Sequence, residues 1–112
     1  MTRPTVIIES PFAGDVERNL KYLAACIEDS LSRGEAPFAS HGFYTQWLDD
    51  SLDHHRALGM ECGLAWALRA NLIVFYLDLG WSPGMTEMVE FLSERNYPLL
   101  TRTIGWKDGS DN

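Results

Sequence analysis

The sequence predicts an α/β domain: a three-layer, Rossmann- or flavodoxin-like parallel sheet of about four strands, order 2-1-3-4, with helices on both faces. Three observations predict it. Short β-branched runs alternate with stretches of helical spacing from Thr5 to Ile104. The connections between them are short, which favours right-handed crossovers between parallel strands. One run, "NLIVFYLD" at 71–78, is apolar on both faces and so belongs inside a sheet, beside the first strand.

The elements follow in order. "TVIIE" (5–9) is a β-branched strand. Residues 15–33 repeat apolar groups at Val16, Leu20, Leu23, Ile27 and Leu31, a helical spacing that Gly34 ends. "APFAS" (36–40) is a weak strand that Pro37 confines to an edge or to its own start. Residues 41–52 are rich in aromatics and have no clear period. A second helix runs from 53 to 70, with Leu58, Cys62, Ala65, Trp66 and Arg69 on one side. Gly59 and Gly63, four apart, read as close packing of this helix on the sheet. Pro83 opens a third helix to 96, as helix first turns permit. Its Met88, Phe91 and Leu92 are expected to face the sheet. "PLLTRTI" (98–104) is the last strand.

Size and charge narrow the function. A chain of 112 residues suffices for one core, so residues 1–106 form one domain and 107–112 a flexible polar tail. A net charge of −7 argues against binding a nucleic-acid backbone, though not against a small nucleotide held by backbone amides. No run approaches the roughly 18 apolar residues of a membrane span. The start "MTRPTVIIES" lacks a signal peptide's apolar core, and Cys26 and Cys62 read as reduced packing residues, which together point to the cytoplasm.

In an open parallel sheet, ligands bind beyond the carboxyl ends of the strands, where the order reverses. The loops there are Ser10, Pro11, Phe12, Ala13, Gly14 and Asp15; then Ser40, His41, Gly42, Phe43 and Tyr44; then Asp78 to Gly84. All three are expected to meet at one edge. In the third, Gly80 and Gly84 let backbone come close, Ser82 caps the helix or donates to an oxygen, and Met85, Glu87 and Glu90 follow. The plainer account makes Ser82 an N-cap, Pro83 the N1 residue and the glutamates dipole partners. Arg56, opening the second helix, is the best cation for a phosphate, or else a surface ion pair. His54 and His55 are adjacent and point apart, and no Cys, His or Asp cluster has ligand spacing, so neither metal nor cofactor is expected.

Four stretches carry a resemblance: "ESPFAG", "APFASH", "RALGMECGLAW" and "YLDLGWSPGM". Together they resemble small bacterial and phage domains related to nucleoside 2-deoxyribosyltransferases, over roughly residues 5–102. In those enzymes a strand ends in Asp, a Gly-Thr turn follows, and a helical glutamate attacks the anomeric carbon. The resemblance places Asp78, Gly84 and Glu87 in that series. The enzymes' glutamate lies four residues past the glycine, where this chain has Met88; Glu87 is one short, Glu90 two beyond, and Met85 replaces the threonine. The chemistry needs a carboxylate against oxocarbenium charge and a second acid for the leaving base, for which Glu9, Asp15 and Asp78 lie near the same edge. Glu87, nearer the helix start, is the preferred nucleophile over Glu90.

Two functions stay open: an enzyme acting at an N-glycosidic bond of a nucleoside or nucleotide, and a non-catalytic binder, of the kind a phage encodes, that senses or sequesters a small nucleotide. A scaffold without ligand is the remaining choice. Apolar residues at 46%, with four Trp, further imply a homodimer or higher homo-oligomer through residues 43–47 and the middle helix.

Overall fold

A computed structural model describes residues 2–108; from residue 109 on, the expected polar tail lies outside the described residues. The chain runs β1 (Thr5–Glu9), α1 (Val16–Ser32), β2 (Ala36–Phe38), α2 (Ser40–Tyr44), α3 (Asp53–Ala67), β3 (Leu72–Tyr76), α4 (Pro83–Glu94) and β4 (Leu99–Arg102). The sheet is all parallel in the order β2-β1-β3-β4, as the sequence predicts. Ile7 sits between Phe38 and Ile73, and Val74 lies beside Leu100.

Residue alternation along the strands sorts the core into two faces. Val6 and Ile8 of β1, with Val74 and Tyr76 of β3, pack against Tyr22, Leu23 and Cys26 of α1. Ile7, Ile73 and Phe75 pack on the other face against Ala67 of α3 and Met85, Met88 and Leu92 of α4. Right-handed crossovers require this division: β1 to β2 steps one way with α1, and the later crossovers step back the other way. Residues 73–76 are all 0% exposed, which is why β3 reads as a continuous apolar run.

Three stretches take a form that the sequence pattern left open. The aromatic stretch after β2 begins with a short helix, α2, too brief to show a period. On α1 the buried face is Asn19, Tyr22, Leu23, Cys26 and Ser30, while Val16, Leu20 and Leu31 are exposed. The rotation follows from polar groups with inside partners: Asn19 Nδ2 donates to the carbonyls of Phe12 and Ala13, and Ser30 Oγ donates to Glu35. On α3 the inward residues are Gly63 and Ala67, and Leu58, Ala65, Trp66 and Arg69 face outward. Trp66 is held there by its Nε1 donating to Tyr44 Oη and by its ring beside Phe38.

Candidate functional site

The switch between β1 and β3 is where the first crossover leaves in one direction and the last in the other. Alternation puts Ile7 and Glu9 on the α3 and α4 face, so the final side chain of β1 enters the space above the sheet between those helices. A cavity of about 440 Å3 occupies that space. Segments after all of the first three strands wall it: Ser10, Phe12 and Ala13; Ser40, His41 and Tyr44 of α2; Ser82 with Pro83, Gly84 and Met85 at the start of α4. The expected meeting of three loops at one edge is what the chain forms.

Glu9 is 7% exposed, and no side-chain partner reaches its carboxyl among the described residues. Burial pushes that carboxyl up to about 8. A group held so stays neutral at pH 7, with one O–H to donate and one oxygen to accept. Beside it, Ser10 Oγ and His41 Nε2 lie 2.9 Å apart. Burial pushes the His41 imidazole down to about 4, so it too is neutral. The His41 residue keeps some exposure at the wall, but its Nδ1 is enclosed and unpartnered. With no acceptor to orient that nitrogen, Ser10 and His41 are a hydrogen-bonded pair rather than part of a nucleophilic triad.

The mouth is charged and wetter. Arg56 lines it from the first turn of α3, and its Nη2 donates to Glu87 Oε2 at 3.0 Å. Both side chains stay substantially exposed, so the pair adds little stability. Ser82 Oγ accepts from the Met85 N–H, and Pro83 has no N–H to give. Among the described residues that leaves the Ser82 and Gly84 N–H groups unfilled at the α4 N-terminus. Gly59 and Gly63 also line the cavity, so their missing side chains open its wall, with Gly63 set against Ser40 and Met88 of the neighbouring elements.

A family model described as a domain of unknown function, DUF7768, matches residues 4–102. The chain belongs to that family. No curated protein matches it. The matched span of this DUF7768 domain holds all four strands and every residue that walls the cavity.

Not every expected site residue reaches the cavity. Pro11 is buried beside it, and Gly14 and Gly80 hold positive-φ turns next to it. Asp78 lies on the opposite face, shared with Tyr76. Its carboxylate accepts from Tyr22 Oη at 2.6 Å and from the backbone N–H groups of Ile104 and Trp106. Burial alone would raise its pKa; the Tyr22 hydroxyl and the N–H groups of Trp106, Ile104 and Gly105 outweigh this and lower it. Glu87 stays at the mouth with Arg56, and Glu90 is exposed on α4 outside the lining. Met88, in the position four past Gly84, is 3% exposed and does line the cavity. Thr45, Leu48, Asp50, His55 and Met60 also line it and were not expected; the aperiodic 41–52 stretch hinted at the first three, and nothing local marked the two on α3. His55 is oriented by the Asp49 N–H, which donates to its Nδ1 at 2.8 Å. Among the described residues no cluster of His, Cys, Asp and Glu is built to hold a metal, and no helix is long and apolar enough to cross a membrane.

Proposed function

We propose that this domain binds a nucleoside or small nucleotide and holds it without altering it, as a sensor or sequestering protein does. The observation that carries this is the cavity itself. Its volume of about 440 Å3 suits a nucleoside, its exposed wall is mostly apolar, and polar groups stand both at the switch point, with Glu9 and Ser10, and at the mouth, with Arg56. Arg56 and the free Gly84 N–H at the mouth offer a place for a sugar oxygen or phosphate. Binding is favoured over transfer because the carboxyl inside, Glu9, is held neutral and so is a poor nucleophile. The charged Glu87 is already occupied by Arg56.

One observation keeps a second reading in view, namely action at the N-glycosidic bond in the manner of the deoxyribosyltransferases. A protonated Glu9 is a suitable acid for a leaving base, and Glu87 would supply the attacking carboxylate if ligand displaced Arg56 from it. The bond from C1′ to the base nitrogen would break, the base taking the proton of Glu9 and C1′ gaining an oxygen from Glu87. Incubation with ribo- and deoxyribonucleosides separates the readings. Binding with recovery of intact nucleoside supports the first; release of free base, lost in Glu87→Gln, replaces it with the second. The assembly proposal is a homodimer through the exposed Phe43, Trp47 and Trp66, beside the cavity residue Tyr44.

A further inference from the structure

We infer that Glu9 reads the ligand's base from the cavity floor, acting as a hydrogen-bond donor and acceptor at once, so that the ligand enters base first and leaves its sugar at the mouth by Arg56. This rests on the nucleoside reading above and goes further by assigning orientation and edge chemistry. The geometry is a polar gradient. At the inner end Glu9 is buried, unpaired and the last residue of β1, fixed by the parallel ladder to β3 at Phe75. At the outer end stand the exposed Arg56 and Glu87.

A carboxyl enclosed by the fold and left without a protein partner, its oxygens open only to the cavity, is set for a ligand to complete. A neutral carboxyl presents a donor beside an acceptor, and its complement is an edge with an acceptor beside a donor. The amino-substituted edges of adenine and cytosine have that form. An ionised carboxylate would instead call for a cation or two adjacent donors. The burial that keeps Glu9 protonated near neutral pH supports the first arrangement. The other titratable or charged groups around the same cavity are His41, Tyr44, Asp50, His55 and Arg56, the last paired to Glu87.

The test is calorimetric titration of the protein with adenosine and with cytidine, whose bases do not titrate over the range used, at pH 6.5 and pH 9. Ionisation of Glu9 should weaken binding by about ten-fold between those values. Glu9→Gln keeps a donor and an acceptor, so it should retain affinity within about three-fold at pH 6.5. It should also remove most of the pH dependence, and a Glu9→Gln variant that keeps it overturns the inference. Glu9→Leu, checked for folding by circular dichroism, should lose binding. Affinity that is flat or rises with pH in the wild type overturns the inference while leaving the nucleoside reading intact. So does a folded Glu9→Gln that no longer binds. If guanosine or uridine binds and neither adenosine nor cytidine does, this inference falls alone; if none of the four binds at either pH, the nucleoside reading falls with it.

Discussion

Glu9 and Asp78 stand at or just past the ends of neighbouring strands, yet alternation sends them to opposite faces of the sheet. Asp78 accepts from a phenol and from backbone amides that tie down the segment after β4. Asp78→Ala should therefore destabilise the domain by about 3 kcal/mol, several charge-assisted bonds being lost at once. Urea denaturation checks this, and a change below about 0.5 kcal/mol would refute it. Glu9 behaves oppositely. Its folded pKa of about 8 lies above the ordinary 4.5, so the folded state keeps a proton that the unfolded chain releases. Stability from this group is full below about pH 4.5 and falls as pH rises to about 8. Glu9→Gln removes that loss. Its advantage over wild type should grow from pH 5 to pH 8.5, to the order of a few kcal/mol, in parallel denaturation series.

Among the elements, α3 is the informative one. Its inner face is glycine and alanine, and two glycines a turn apart shape the cavity. A methyl group at Gly59 would meet Leu48 Cδ1 at 3.6 Å, an ordinary contact, so Gly59→Ala should gain up to about 1 kcal/mol of helix propensity. At Gly63 it would stand 2.9 Å from Ser40 Oγ, which is buried and on a short side chain. Overpacking of about 1–3 kcal/mol there cancels or exceeds the propensity gain. Melting temperatures should rank Gly59→Ala above wild type, with Gly63→Ala at or below it. The reverse order would show that the α2–α3 contact yields easily.

For the molecule as a whole, the far face is fastened by charge. Arg102 of β4 donates to both oxygens of Glu35, and the two side chains are 10% and 12% exposed. Tyr76 Oη donates to Asp29, which also pairs with Arg33. Glu35 is lowered chiefly by Arg102. At Asp29 burial acts upward, but the hydrogen bonds from Arg33 and Tyr76 prevail and lower it. Their contribution, with that of Asp78, is present above the ordinary carboxylate range and is lost as pH falls below about 4. His41 adds an earlier loss, between about pH 6.5 and 4, because the unfolded chain protonates first. Arg102→Met, leaving Glu35 buried without its partner, should cost about 3–5 kcal/mol and flatten the acid limb of a stability-against-pH curve. Light scattering tests the proposed pairing of two copies: a dimer mass is expected, and Trp47→Glu with Trp66→Glu should return a monomer mass.

How much of this was legible depended on whether a signal was periodic or positional. Strand alternation, the greasy β3 run and the helical stretches are local patterns, and they determined the four parallel strands, their order and the edge where loops converge. Ser82 and Pro83 marked a helix start for equally local reasons: a side-chain oxygen for a free N–H and a ring suited to the first turn. What the pattern could not settle was the direction of any residue whose partner is distant in the chain. Asn19 and Ser30 turned α1 because their polar groups found Phe12, Ala13 and Glu35. Asp78 looked like a site residue until the segment beyond β4 came back to meet it. Glu9 looked like one acid among several. Only the closing of α3 and α4 over β1 buried it at the cavity, and that burial, not sequence, makes it a neutral carboxyl.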